Sequence, residues 1–529
     1  MLVVKRNGEK EKFNLNKIAN ALLKAYHSVG EQISQEECLE QAKKITKDYH
    51  KNDEINIEMI QDNVELFLME TKKYEVAKAY IKFRERQRLD RENPWSDNDE
   101  RQDLILEKYL LHNETKKSFL KRVSFGRPAL EKILRHKEAI FGGRNLYAIG
   151  REGNITGSNC YVTEDPQDNL ESIYRVDYQI ARTYSFGGGQ GLNLSNIRPK
   201  GAKVNNSSNT TPGVMVFAEK YSHTTLNTQQ DQRRGALMLV LNVNHPDIIE
   251  FITTKLDLNK INGANISVAI TDDFMKSVEA DELWTMSFET PYERIEKTVK
   301  AKKLLELIAY SAHTMGDPGV MFINHMNDYH FLSEYDDVKF TATNPCGEQP
   351  LMPHGSCNLG SINLRAFVKK PYTEEAYFDF ERFEYVVAEM IYSLDDLLTM
   401  LGNRHALKEQ REHVTKYREV GLGIMGLADL ALAMKKPYGS PEFIEFLDTL
   451  MKFMLNSAAR ASALNAKEKG PFPMFDYEKI SSSNFYKEAI TPETDELIKK
   501  HGMRNSRLLS VAPTGSISNR RDIRGPSWR

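Results

Sequence analysis

The sequence predicts an α/β protein with a largely parallel sheet or barrel, preceded by a small, mainly helical unit. Three observations carry this. From about residue 100 onward, helical apolar periodicities alternate with short apolar runs of strand length, the pattern of βα units. The run "ALMLVLNV" (236–243) is apolar at nearly every position, as a strand buried on both faces must be. The first ninety or so residues carry helical periodicities of their own and run into "KFRERQRLDRENPW", a polar, proline-containing stretch that reads as a linker.

In chain order, "LVVKRNGEKEKF" reads as two short strands around the turn pair Asn7-Gly8. Leu15, Ile18, Ala19, Leu22, Leu23 and Tyr26 then keep helical spacing, with Asn14 or Asn16 as cap. Ile57, Ile60, Val64, Phe67 and Leu68 mark a second helix, and Tyr74, Ala77, Tyr80 and Ile81 a third. Further helices are expected over 168–184, 214–227, 303–315, 376–402 and 443–468. "NNSSNTTPG" (205–213) is a polar loop.

Composition bounds the function. The 529 residues are 40% apolar and 28% charged, with a net charge of −2, as in a globular chain of two or more domains. That near-neutral balance leaves no electrostatic footprint for nucleic acid. The N-terminus is charged where a signal peptide needs an apolar run, and "ALMLVLNV" is too short to span a bilayer, so the expectation is a cytoplasmic protein without membrane contact. In a reducing compartment the four cysteines, Cys38, Cys160, Cys346 and Cys357, are not expected to be a disulfide scaffold.

Two of them fall in "NPCGEQPLMPHGSC" (344–357). Asn344, Cys346 and Glu348 alternate, and in extended backbone the amide, thiol and carboxylate would face one space. Against this, a lone cysteine is commonly just a small buried residue. No metal is expected: Cys346 and Cys357 are eleven positions apart, and His354 lacks the further pair that zinc needs. "FGGGQGLNLS" lacks the strand-to-helix context and later acid of a dinucleotide fingerprint, and no P-loop occurs.

"TNPCGEQPLMPHGSCNLGSINL" (343–364) resembles the active-site finger loop of ribonucleotide reductase catalytic chains, and other segments match in the same order. They include "SNCYV" (158–162), "SFGGGQGLNLSNIRPKGA" (185–202), "NHPDIIEFI" (244–252), "GLGIMGLADL" (421–430) and "VAPTGSIS" (511–518). "VVKRNGEKEKFNLNKI" (3–18) resembles the ATP-cone that often precedes such enzymes. The resemblance implies an ATP-cone at 1–92, a helical N-terminal part of the reductase domain at 93–140 and a ten-stranded α/β barrel at 141–518. The segment 519–529 resembles nothing in the family and is expected to be a tail outside it.

The resemblance also implies roles. A thiyl radical on Cys346 removes a ribonucleotide's 3′ hydrogen, Glu348 takes the 3′-hydroxyl proton, and Asn344 hydrogen-bonds the substrate. Cys160 and Cys357 supply the electrons and become a disulfide. Pro513, Thr514, Gly515 and Ser516 hold the substrate phosphate. Asp168, Arg198, Arg233 and Arg234 belong to the effector specificity site, and Lys5, Arg6, Glu11, Asn14 and Lys17 to the ATP-cone nucleotide site. Cys38 is a packing residue. ATP and dNTP effectors, a thioredoxin-like or other thiol reductant and a homodimer follow from the same likeness. The wording "NPCGEQPL" is closest to the adenosylcobalamin-dependent group, the alternative radical source being a separate metal-containing subunit. Because the matched segments stop at Ser518, an incomplete barrel is expected. The alternatives are then a nucleotide-binding remnant, or the N-terminal piece of a split reductase whose remaining strands come from a second polypeptide.

Overall fold

A computed structural model describes residues 2–4, 10–47, 49, 54–92, 108–230 and 233–518, without the side chains of 85–92, 116, 229, 230, 233 and 234. Contacts divide the chain into two units, Met1–Asn98 and Asp99–Arg529.

In the first unit, β1 (Leu2–Val4) pairs antiparallel with β2 (Lys10–Lys12) and parallel with β3 (Glu54–Asn56). Four helices cover this small sheet: α1 (Leu15–Ser28), α2 (Gln35–Ile45), α3 (Ile57–Glu70) and α4 (Tyr74–Glu92). Asn14 caps α1 by accepting from the backbone N–H of Asn16 at 3.0 Å. The apolar spacing had not marked α2; its Ser34–Glu37 capping box is the local signal that fixes it. The segment read as a linker is helical as far as Glu92, because polarity alone does not break a helix and its one proline lies beyond, at position 94. Cys38 is buried in this unit's core with Ala19, Leu22 and Val64, as its packing role requires.

The second unit is built on a curled, mixed eight-stranded sheet. In sequence its strands are β4 (Ala139–Phe141), β5 (Cys160–Val162), β6 (Gly189–Asn193), β7 (Leu237–Asn242), β8 (Asn265–Ile270), β9 (Gly319–Phe322), β10 (Ser356–Asn363) and β11 (Val420–Met425). Strands β5 to β9 form one parallel set. β10 and β11 form a second parallel pair, which meets the first through an antiparallel seam between β10 and β5. Residues 507–510 continue the sheet beside β11: Val420 N–H donates to Arg507 O, Leu422 N–H to Leu508 O, and Ser510 N–H to Leu422 O.

The expected helices form close to their predicted bounds: α5 (Leu170–Phe186), α6 (Val214–Asn227), α7 (Ala301–Met315), α8 (Phe380–Leu401) and, after α9 (Lys408–Tyr417), α10 (Pro441–Lys469). β7 shows why its run is apolar throughout. Leu237, Leu239 and Leu241 pack into the core under α5, α6 and α7, while Met238 and Val240 face the opposite way, onto Ala342 and Leu351. That second face receives the loop that carries the site.

Candidate active site

Cys160 and Cys357 are exact partners in the β5–β10 seam. Directly opposed residues of an antiparallel pair have Cα atoms about 4.5–5.5 Å apart, within the span a disulfide bridges. Both are buried and both are thiols. They pack with Leu359 and Ala512. On the far side of Cys357, a Cβ on Gly421 would lie 2.4 Å from its sulfur, so glycine is required there for close approach.

Residues 342–343 pair antiparallel with 350–351 and hold the intervening loop as a short finger. Its backbone is not extended through Asn344, Cys346 and Glu348. Gly347 N–H donates to Asn344 O at 3.0 Å and Asn344 N–H to Gln349 O at 3.2 Å, closing a turn in which Gly347 takes φ +83°. The turn, rather than strand alternation, brings the groups together. Asn344 Nδ2 donates to Glu348 Oε2 at 2.5 Å and to Cys160 Sγ at 3.0 Å. Cys160 Sγ donates to Glu348 Oε1 at 3.7 Å, and Gln349 N–H fixes the Asn344 carbonyl at 2.9 Å. Cys346 stands exposed at the tip.

The finger is seated by residues the sequence did not single out. Asn193 Nδ2 donates to Thr341 O and Asn265 Nδ2 to Pro345 O, each at 2.9 Å, and Arg507 Nη1 donates to Pro350 O. The glycine run explains itself here: a Cβ on Gly191 would stand 1.8 Å from Thr343 O, and one on Gly189 2.9 Å from Pro345 Cγ. Gly189 and Gly191 lie in β6, the strand against which the finger lies. A lone asparagine in an apolar strand carries no pattern that sequence reading could have used.

The electrostatics hold both inner thiols neutral. Burial pushes Cys160 well above the usual thiol range, and Glu348 adds to it. Cys357 is raised by burial, then by Glu348 and Glu419. Burial also pushes Glu419 up, but His413 and Arg507 outweigh it and leave that carboxyl below its ordinary value.

The loop at 511–518 follows directly from Ala512 beside the cysteines. Thr514 is buried at φ +54° with no hydrogen-bond partner for Oγ1 among the described residues, while Pro513, Gly515 and Ser516 are exposed. Asp168 and Arg198 do meet: the Arg198 N–H and Nε donate to the carboxylate at 3.0 and 2.7 Å. Arg233 and Arg234 lie in a two-residue strand against Gln229–Gln230, and their side chains are outside the described residues. Lys5 and Arg6 also lie outside them. Lys17 forms an ion pair with Glu11 next to the Asn14 cap. Among the described residues no cluster of His, Cys, Asp and Glu could hold a metal, and no helix is long and apolar enough to cross a membrane.

Comparison with known proteins places this geometry. Residues 158–523 match the ribonucleotide reductase barrel domain, and residues 1–89 the ATP cone domain. The chain is 34% identical to a vitamin B12-dependent ribonucleoside-diphosphate reductase of Thermoplasma acidophilum, over 68% of this chain and 44% of that one. It is 34% identical to the protein of the same description in Mycobacterium tuberculosis, over 73% and 52%. With the ribonucleoside-diphosphate reductase large chain of Neurospora crassa it shares 27% identity, over 68% and 42%. The chain thus spans about half the length of the curated relatives it matches.

Proposed function

Because this chain belongs to the ribonucleotide reductase barrel-domain family, we propose that it converts ribonucleoside diphosphates to 2′-deoxyribonucleotides by thiyl-radical chemistry. One observation supports this above the rest: Asn344, Glu348 and Cys160 lie within hydrogen-bonding reach of one another, with Cys357 opposite Cys160 and Cys346 presented at the finger tip.

In this reading Cys346 is the thiol that becomes the hydrogen-abstracting radical, and its exposure leaves it reachable by substrate and radical source. Adenosylcobalamin, the cofactor named for the first relatives, would supply that radical chemistry when bound, with Cys346 as the residue it meets. Glu348 accepts the substrate's hydroxyl proton, and the Asn344 amide orients carboxylate and substrate together. Cys160 and Cys357 deliver two electrons by joining as a disulfide, which a thioredoxin-like dithiol re-reduces. Thr514, with its unpartnered hydroxyl, and Pro513, Gly515 and Ser516 bind the substrate phosphate. Asp168 and Arg198, with Arg233 and Arg234, bind an effector deoxynucleotide. The N-terminal unit binds ATP through Lys5, Arg6, Glu11, Asn14 and Lys17. The working assembly is a homodimer in the cytoplasm.

The test is deoxynucleotide formation from CDP and CTP by the purified chain with dithiothreitol and effectors, with and without adenosylcobalamin. Product that requires cobalamin and disappears in Cys346→Ser is the expected result. Folded, ATP-binding protein that makes no product under any condition would refute it for this chain alone and favour the nucleotide-binding remnant.

A further inference from the structure

The carboxylate–thiol contact at Cys160 has a counterpart behind Cys357. Asn358 pairs with Val420 in the parallel β10–β11 register, so one residue back Cys357 stands beside Glu419. Glu419 and Gly421 share a face of β11, and Gly421 leaves the space that the Cys357 sulfur enters. Glu419 is wholly buried. Its Oε2 lies 3.1 Å from His413 Nε2, and its Oε1 lies 3.5 Å from Arg507 Nε. Among the described residues no group donates a hydrogen bond to Oε1. The titratable groups facing it are His413 and Tyr417 from α9, Cys357 from β10, and Arg507 from the strand beside β11. His413 stacks on Tyr417 at 4.7 Å, whose hydroxyl donates to Asp337 at 3.3 Å.

The buried Glu419 Oε1 is held by the Arg507 charge at 3.5 Å rather than by a close hydrogen bond, which leaves it able to accept a proton from the thiol beside it. Joining two thiols releases two protons, and each needs an acceptor. Cys160 already donates toward Glu348.

Resting on the redox-pair reading above, we propose that Glu419 is the proton partner of Cys357, taking its proton as the disulfide forms and returning it on reduction. Two S–H bonds break and one S–S bond forms. The ribonucleotide takes the electron pair and two protons, one from Cys160 by way of Glu348 and one from solvent, and its 2′-hydroxyl leaves as water, while the Cys357 proton goes to Glu419. On reduction an external dithiol gives up two electrons and two protons: the S–S bond breaks, Cys160 regains one proton, the other passes to solvent, and Glu419 hands its proton back to Cys357. His413 and Arg507 keep Glu419 ionised between these events and so act as positioning residues.

The step can be watched without turnover. In the full chain carrying Cys346→Ser, 5,5′-dithiobis(2-nitrobenzoate) reacts at Cys160 and releases one thionitrobenzoate at a rate set by reagent concentration. Cys357 then displaces the second, independently of concentration, giving the Cys160–Cys357 disulfide, a thionitrobenzoate anion and the proton assigned to Glu419. Glu419→Gln should slow this second release by about 10²-fold, the lower end of general-base effects. The first, concentration-dependent release at Cys160 should stay unchanged, because the groups that act on that thiol are Glu348, Asn344 and the other cysteines and not Glu419. Slower closure with an unchanged first release separates proton transfer from disrupted packing, which would move both. Unchanged or faster closure overturns the proposal alone. Absence of any concentration-independent release, with no disulfide by mass spectrometry, overturns the redox-pair reading with it. Should Glu419→Gln strand Arg507 and unfold the chain, Glu419→Gln with Arg507→Gln removes both charges, and the same slowing is expected.

Discussion

Gly191→Ala should disable the site through a single methyl group. The Gly191 backbone is not in the left-handed region, so alanine brings no backbone strain, and the whole effect is the close approach of the finger. The new Cβ would stand 1.8 Å from Thr343 O. Carbon and oxygen without a bond between them need about 3.3 Å, so β6 and the finger stem must part by about 1.5 Å. Thr343 precedes Asn344, so the shift carries directly into the amide that touches Cys160 and Glu348. Misplacement of reacting groups by about 1 Å costs on the order of 10²-fold in rate, whereas overpacking costs only about 1–3 kcal/mol of stability. The expected result is a loss of about 10²-fold in deoxynucleotide formation, in a chain whose urea midpoint falls modestly and whose ATP binding persists. A variant that keeps its rate within about threefold of wild type would show that the finger does not depend on seating against β6, and would refute the reasoning.

Burial raises Asp165 from its usual 3.8 to about 6, partly offset by the bond its Oδ1 accepts from Asn193 N–H at 2.9 Å. A carboxyl raised on folding binds more protons folded than unfolded between those values, so stability falls as pH rises from about 4 to 6 and stays lower above. Asp165→Asn should remove that decline, on the order of 3 kcal/mol, when urea midpoints are compared across the window. Identical pH slopes in both proteins would rule it out. Asp168→Ala removes both bonds to Arg198, and the effector concentration for half-maximal stimulation should rise about tenfold; an unaltered effector titration would count against that site. Cys38→Ala should cost about 1 kcal/mol in the N-terminal unit and leave reduction untouched, since Cys38 only fills that core; a loss of product formation would give it another role.

The alternation of β7 between two buried faces, the spacing of Leu15 to Tyr26 in α1 and the bounds of α5 to α8 and of α10 were legible in the sequence, because periodicity is a local property of neighbouring residues. Cys160, Cys346, Cys357, Asn344 and Glu348 were singled out by an ordered set of motifs. Tertiary structure alone decided how they meet. The antiparallel seam that sets Cys160 against Cys357 joins residues nearly two hundred positions apart. The turn at Gly347 brings Asn344 and Glu348 together. Asn193, Asn265 and Arg507 seat the finger from three separate segments, and Glu419 comes beside Cys357 only through the β10–β11 register. Such contacts leave no spacing in the chain to read: they depend on which strand lies next to which, and burial and pairing over long separations settle that together.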